Sequence, residues 1–140
     1  MKMKLKDVNR HYAGLAGAGD LILPSKLSFA ISRNMESLLA EVERAEKERK
    51  KMCERYAEKD ADGKPVMADS VVDGKKTREY KMSPEGMKTV NEEYQALLDA
   101  EVDVRISTVD AECIRQCEES ERYSIPSVRQ AAALAFMLEK

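Results

Sequence analysis

The densest group of residues with a binding chemistry is a short basic segment that carries an aromatic side chain. Lys75, Lys76, Arg78 and Tyr80 lie close together in the chain. Lysine and arginine attract phosphate or carboxylate groups, and a tyrosine ring can stack on a base. The turn dipeptide Asp73-Gly74 precedes the segment and predicts that it lies at the tip of a hairpin. The segment is therefore a candidate contact for an anionic partner, and the alternative is an ordinary solvated surface.

A second group of candidate ligand contacts consists of residues that are distant in sequence. It comprises Arg33, Asn34, Arg122 and Tyr123. An arginine can hold a phosphate through two parallel hydrogen bonds, and a tyrosine can support a base. If these residues meet at a subunit interface, they are the contacts we expect for a small nucleotide.

Metal and catalytic chemistry receive little support from the remaining residues. Cys113 and Cys117 are four positions apart on a predicted helix and could share a metal ion. His11 is the only other soft ligand, whereas a closed zinc site normally takes four protein ligands. We interpret the cysteines as small buried thiols. His11 has no serine or cysteine partner at the spacing of a catalytic motif, which argues against a role as general base. The sequence therefore predicts no catalytic residue, no metal and no cofactor.

Two further patterns match known sites only in part. The segment 58–63 with Asp69 follows the order of a calcium loop, but Pro65 and the absence of a final glutamate argue against one. The glycine-rich stretch 14–19 reverses the order of the dinucleotide fingerprint and ends a predicted helix. We interpret the first pattern as a turn and the second as a helix terminus.

The composition favours long solvated helices and gives the chain no strong bulk charge. Of 140 residues, 43% are hydrophobic, 36% are charged and 5% are aromatic, and the net charge is −2. This balance excludes a global attraction to nucleic acid or to an anionic membrane. No apolar run approaches the ~18–20 residues of a membrane span, and the basic start lacks an apolar signal core. Three cysteines without a framework spacing suit a reducing compartment, so we expect a cytoplasmic protein.

The elements that must position these residues are dominated by one long helix, predicted over about 24–59. Pro24 suits the first helical position, and no glycine or proline follows until Gly63. Such a helix is about three times the mean length of ~11–12 residues. Before Leu38 its apolar face is wide, and after Leu38 the apolar spacing resembles a heptad seam. We predict that the first half lies in the core and that the second half forms an arm.

The arm is predicted to be an antiparallel helical hairpin with a β-hairpin tip at about 64–82. Ser83-Pro84-Glu85 has the residues that start a helix, and the apolar positions up to Leu97 match the spacing of the first helix. Leu97 and Leu98 therefore belong to the predicted seam, and the arm spans residues 44–98.

The rest of the chain is predicted to form the core of a single domain, 1–43 with 99–140. Residues 1–6 and 101–107 both alternate apolar and charged side chains. Lysines on the first segment and acids on the second would face each other, so we predict that the two strands pair, within one chain or between two. Three short helices complete this mainly α fold, at about 8–17, 110–121 and 127–139.

The chain resembles small, mostly uncharacterised helical accessory proteins of tailed bacteriophages and prophages, from residue 23 onward. The residues that carry the resemblance are Leu23-Pro24, Ile31-Ser-Arg33-Asn34, Glu41, Arg49, Tyr56, Asp60-Ala-Asp62-Gly63, Glu92-Glu-Tyr94-Gln-Ala-Leu97-Leu98-Asp-Ala-Glu101-Val102-Asp-Val104, Ile125-Pro126 and Leu134-Ala-Phe136-Met137-Leu138. The resemblance implies a phage protein made in the cytoplasm of a bacterial host. It carries over no catalytic or binding residue.

These observations lead to one principal hypothesis about function and two alternatives. The first is a non-enzymatic protein that acts by protein–protein interaction, in phage assembly or on a host factor, and that forms a homo-oligomer. The second is an anti-defence sponge that sequesters a nucleotide immune signal. The third is an enzyme, for which every required constellation of residues is missing. We expect no membrane or nucleic-acid partner.

Overall fold

The computed structural model describes residues 1–139, apart from the side chain of Val72. Over these residues the chain is mainly helical, with two small antiparallel two-stranded sheets, as the sequence predicted. In chain order the elements are β1 Lys2–Lys4, α1 Leu5–Gly17, α2 Ser25–Tyr56, β2 Met67–Val72, β3 Lys75–Tyr80, α3 Pro84–Leu98, β4 Glu101–Asp103, α4 Glu112–Glu119, α5 Val128–Leu134 and the 3-10 helix Ala135–Met137. No described helix is both long and apolar enough to cross a membrane.

The chain divides into two compact units. Unit 1 comprises Met1–Glu43 and the chain from Ala100 onward, and unit 2 comprises Arg44–Asp99. Helix α2 contributes residues to both units, because its 32 residues extend beyond the boundary at Arg44.

The core of unit 1 consists of apolar side chains from its helices and its small sheet. The leucines, valine and methionine that are fully buried in it are Val8, Leu15, Leu27, Leu38, Leu134 and Met137. A fully buried Leu or Met contributes about 1.5–3 kcal/mol relative to an exposed one. This core holds α1, the first half of α2 and α5 together.

The predicted pairing of the first strand with a strand near residue 101 is confirmed, and it occurs within one chain. Lys2 faces Asp103 and Lys4 faces Glu101, so opposite charges lie across the ladder. Met3 lies between the two lysines and turns its side chain into the core, where it is 8% exposed. The strands have three residues each and are shorter than predicted, because helix α1 begins at Leu5.

Unit 2 contains the second half of α2, the β2–β3 sheet and α3. β2 and β3 pair antiparallel, and the two residues that join them, Asp73 and Gly74, have positive φ values of 52° and 77°. Two positive φ values are typical of the turn whose twist matches a tight hairpin. Ser83 caps α3 by accepting a hydrogen bond from the backbone N–H of Gly86 at 3.1 Å.

Several predicted boundaries are corrected by the structure. Helix α2 begins at Ser25, after Pro24, whose carbonyl accepts the first two helical hydrogen bonds, and it ends at Tyr56 rather than at 59. Helix α4 begins at Glu112, whose N–H donates to Asp110 Oδ1 at 2.9 Å, and it ends at Glu119 rather than at about Glu121. The last predicted helix is an α-helix of seven residues followed by the 3-10 helix.

Candidate functional site

An apolar groove in unit 1 lies along the first half of α2. Its volume is about 370 Å³. Its lining comprises Tyr12, Ala18, Gly19, Leu21, Leu23, Ser28, Ile31, Ser32, Met35, Glu36 and Leu39. Glu36 is the only charged side chain in this lining, so the groove suits an apolar occupant.

The spacing of residues on α2 explains why the groove is apolar. Ile31, Met35 and Leu39 follow one another at intervals of four and therefore lie on one stripe of the helix. Leu27 begins the same stripe, and both Leu27 and Leu38 are fully buried in the core. Met35 is half-buried and Leu39 is 36% exposed, so the apolar surface of α2 extends beyond its core contact into the groove.

Large apolar side chains are exposed near one end of the groove. Ile22 is 65% exposed and lies between two lining residues, and Ile125 is 69% exposed. Ser124 holds the two segments together, because its N–H donates to the carbonyl of Ile22 at 2.7 Å and its Oγ accepts from the N–H of Ile22 at 2.9 Å. These hydrogen bonds hold the two segments that carry the isoleucines next to each other.

Of the residues predicted to bind a nucleotide, Asn34 is fully buried. Its side-chain nitrogen donates to the carbonyl of Ser107 at 2.9 Å, and its side-chain oxygen accepts from the N–H of Ser107 at 2.7 Å. Both groups of the amide are therefore used inside unit 1. This burial favours a structural role for Asn34 over contact with a ligand.

The other three residues of that predicted set differ in their surroundings. Arg33 is exposed, and its guanidinium lies 5.8 Å from the centre of the Phe29 ring. Tyr123 is half-buried and lines a cavity of about 570 Å³ beside Lys26. Arg122 is exposed and does not line this cavity. The Tyr123 cavity is therefore not lined by Arg33, Asn34 or Arg122.

The basic segment lies on β3, where strand alternation separates its members. Lys76, Arg78 and Tyr80 share one face, whereas Lys75 lies on the other face. Arg78 is paired in register with Asp69. The three basic side chains are exposed, and Arg78 and Tyr80 line a cavity of about 580 Å³ in unit 2.

Tyr80 already has an acidic partner in this unit. Its hydroxyl donates to Glu54 Oε1 at 3.0 Å, and this hydrogen bond raises the pKa of Tyr80. An anion at this face of β3 would lie near the basic side chains of Lys76 and Arg78. It would also lie near the carboxylates of Asp69 and Glu54. The face is of mixed charge, which weakens its selectivity for anions.

The cysteines and the histidine have structural contacts. Cys113 and Cys117 are buried, and the Cys117 thiol donates to the carbonyl of Cys113 at 3.3 Å. Burial raises the pKa of the Cys117 thiol. The His11 ring stacks on Phe136, with ring centres 3.9 Å apart. Among residues 1–139, no three His, Cys, Asp or Glu side chains are grouped to hold a metal ion.

The partial calcium pattern forms a turn in the structure. Oδ1 of Asp60 accepts hydrogen bonds from the N–H groups of Asp62 and Lys64, at 2.9 and 3.0 Å. Gly63 adopts a positive φ of 78° within this turn. The carboxylate of Asp60 therefore stabilises the backbone of the turn.

The apolar groove was not identified as a site from the sequence. The available signal was the excess of apolar residues before Leu38, together with the run Leu21-Ile22-Leu23. These residues are equally compatible with a core position, because periodicity shows that a face is apolar but does not show what covers it.

Comparisons with known proteins add no relative from which a role could be transferred. No family model, no curated protein and no solved structure matches the chain.

Proposed function

We propose that the protein is a homo-oligomer that acts by protein–protein contact, and that the apolar groove along α2 is the site where a second copy binds. The observation that supports this proposal is the groove itself, with Ile31, Met35 and Leu39 on one helical stripe. Burying apolar surface contributes about 25 cal/mol per Å², so a groove of this lining gains by being covered.

A second copy is the favoured occupant because one unit displays both a groove and apolar protrusions. Phe29 is 64% exposed and Ile22 is 65% exposed, so each can enter a groove on another molecule. An isologous dimer needs such self-complementarity, because the same surface of each subunit must supply both the groove and the side chain that fills it. Scattered exposed apolar residues are common, but those that flank a groove mark an interaction surface.

We further infer that the second half of α2 and α3 form the antiparallel helical hairpin expected for the arm. Within unit 2, the Tyr56 hydroxyl donates to Glu93 Oε1 at 3.3 Å, and a Cβ added to Gly86 would lie 3.3 Å from the Tyr56 carbonyl oxygen. Ala57 forms an antiparallel bridge with Met82. These contacts support a close approach between the end of α2 and α3, the helices that precede and follow the β2–β3 sheet in the chain.

The biological setting that we propose is phage assembly or contact with a host factor in the bacterial cytoplasm. It rests on the resemblance to phage accessory proteins in residues 23–138. The oligomer would present several copies of the same surface to that partner, which strengthens binding through effective concentration.

Sedimentation of Leu39→Glu tests the groove directly. Leu39 is 36% exposed, and the new carboxylate would stand beside Glu36 and would have to lose its water when a partner binds. We expect the wild type to sediment as a defined oligomer and Leu39→Glu to shift to the monomer at the same concentration.

Ala40→Glu is the matched control for this experiment. Ala40 is exposed on the same helix, is not among the lining residues, and receives the same charge. It should remain oligomeric. A wild-type chain that stays monomeric at high concentration, or an unchanged oligomer in Leu39→Glu, would contradict the proposal.

A further inference from the structure

A second groove in unit 1 lies between α1 and α5, where two helices approach closely. A Cβ added to Gly14 would lie 2.9 Å from Cβ of Ala133, so the glycine is what permits this approach. Arg10, His11 and Gly14 line the groove from α1. The facing residues are Arg129, Ala132, Ala133, Ala135 and Phe136. The groove has a volume of about 540 Å³, within the ~300–1,000 Å³ of small-molecule sites.

The two arginines that line this groove are both basic, and no acidic side chain lines it. Its lining contains Arg10 and Arg129 and no carboxylate, although the whole chain has 26 acidic residues and a net charge of −2. Arg10 is paired with Asp7 at 3.1 Å and its side chain is 72% exposed, whereas Asp7 does not line the groove. Within residues 1–139, Arg129 has no acidic partner. The groove therefore favours an anion.

Flat and small side chains form the rest of the surface. The rings of His11 and Phe136 stack face to face with an inclination of only 19°, so each ring covers one face of the other. The alanines at 132, 133 and 135 are small and also line the groove. A flat ring on the ligand could extend this stack, while a phosphate reached the guanidinium groups.

We propose that the groove lined by Arg10, His11, Arg129 and Phe136 binds a small anion that carries a flat ring, of the mononucleotide class. The guanidinium groups supply paired, charge-assisted hydrogen bonds to phosphate. The rings and alanines supply an apolar surface for the base. This site is separate from the α2 groove and does not rest on the proposed oligomer. It also uses different residues from Arg33, Asn34, Arg122 and Tyr123.

His11 is the reporter for this site, because it is the only histidine in the chain. Its ring-proton NMR resonances can be assigned without ambiguity and are sensitive to ring currents from a stacked base. We expect 5′-AMP to shift these resonances in a saturable manner. Adenosine and inorganic phosphate, each titrated alone, should bind at least tenfold more weakly than 5′-AMP, since each supplies only half of the contacts.

The same titration has a second readout in the protonation of His11. Burial and the positive charge of Arg10 lower the pKa of His11, and Asp7 opposes this effect. Arg129 lines the same groove and adds to the positive surroundings. A bound phosphate would bring negative charge beside these arginines, so 5′-AMP should raise the pKa of His11. An unchanged His11 titration at saturating 5′-AMP would contradict phosphate binding at these arginines.

Two substitutions at one exposed position test the site without disturbing the core. Ala132 is exposed and lines the groove. Ala132→Glu should abolish 5′-AMP binding by repulsion, whereas the similarly sized Ala132→Gln should bind within a few-fold of the wild type. Arg129→Gln should weaken binding by at least tenfold, the loss of a hydrogen bond to a charged group. Arg105→Gln, at an exposed position outside the groove, is the matched arginine control and should bind normally.

Two results would overturn the assignment of this groove to a mononucleotide. The first is the lack of a saturable shift with 5′-AMP, or an equal affinity for 5′-AMP and inorganic phosphate. The second is loss of binding in Arg122→Gln with normal binding in Ala132→Glu, which would move the nucleotide contacts to Arg122 and its neighbours. Circular dichroism of each variant establishes that the fold is retained before binding is compared.

Discussion

The two units of the chain differ in what holds them together. Every large, fully buried side chain among the described residues belongs to unit 1, including Leu27, Leu134 and Met137. The buried residues described in unit 2 are small or medium in size: Ala45, Cys53, Ala57, Gly86 and Val90. Apolar burial therefore stabilises unit 1 far more strongly than unit 2.

Unit 2 depends more on directional polar contacts. Arg49 forms a two-pronged pair with Glu46, at 2.7 and 3.0 Å, and this pair lowers the pKa of Glu46. Such partly exposed pairs contribute about 0.2–1 kcal/mol each. Hydrogen bonds and caps fix the shape of unit 2, but they add little net stability. Local opening should therefore begin in unit 2.

The largest expected effect is the loss of a buried leucine from unit 1. Leu27 is fully buried, so Leu27→Ala should lower the free energy of unfolding by about 2–5 kcal/mol. Val90→Ala, the corresponding truncation of a buried residue in unit 2, removes fewer carbon atoms and should cost about 2 kcal/mol or less. Urea denaturation followed by circular dichroism measures both.

Glu43→Ala is the control for this comparison. Glu43 is exposed on the same helix as Leu27 and does not line the α2 groove, so its loss should change the free energy of unfolding by no more than about 0.5 kcal/mol. If Val90→Ala proves as costly as Leu27→Ala, the two units are equally dependent on apolar burial and the comparison fails.

The next effect concerns the one buried polar side chain among the described residues, Asn34. Asn34→Ala removes both hydrogen bonds to Ser107, so the backbone N–H and carbonyl of Ser107 lose their partner. We expect a loss of about 1–3 kcal/mol in the free energy of unfolding, from groups left unsatisfied. Hydrogen exchange of the Ser107 amide should accelerate in parallel, and an unchanged exchange rate would show that water replaces the asparagine.

A smaller effect compares one chemical change in both units. Ser83 caps α3 in unit 2. Ser127 caps α5 in unit 1, and its N–H also donates to Gln130 Oε1. Ser83→Ala and Ser127→Ala should each cost about 1 kcal/mol. In Ser83→Ala we expect faster hydrogen exchange within α3 and unchanged exchange in α1. In Ser127→Ala the whole of unit 1 should lose stability, because Leu134 of α5 is in its core.

If the two cap variants behaved alike, the proposed difference in stability between the two units would be contradicted. Faster exchange in α1 on Ser83→Ala would mean that both units unfold as one cooperative body. The exchange of α1 amides is therefore the decisive measurement, since α1 belongs to unit 1 alone.

The local elements of the fold were predictable from residues with a strong positional preference. Ser83-Pro84 marked the start of α3, and Asp73-Gly74 marked the turn between β2 and β3. Alternating charges in 2–4 and 101–103 predicted their pairing. In each case a few neighbouring residues determine the conformation, so the sequence pattern carries the information.

The sites were less predictable because they depend on contacts between distant residues. Asn34 resembled a ligand contact in sequence, and only its bonds to Ser107, 73 positions away, show that it is structural. The sequence gives no sign that Arg10 and Arg129 are neighbours, because only the packing of Gly14 against Ala133 places them on one groove. Residue types predict chemistry, but tertiary packing decides which residues share a surface.

The smallest effect is a pH dependence that should arise in unit 1 from His11. Because the pKa of His11 is lowered on folding, the unfolded chain binds its proton at a higher pH than the folded chain does. Stability is then complete above the ordinary pKa of about 6.5 and falls as the pH drops through that value towards the lower folded pKa.

His11→Phe keeps an aromatic ring against Phe136 and cannot titrate. Subtracting the unfolding free energy of His11→Phe from that of the wild type between pH 7.5 and 5.5 isolates this contribution, since groups titrating in both proteins cancel. We expect the difference to become less favourable to the wild type towards pH 5.5. A flat difference would mean that His11 is as well solvated as in the unfolded chain, and it would remove His11 from the features that distinguish unit 1.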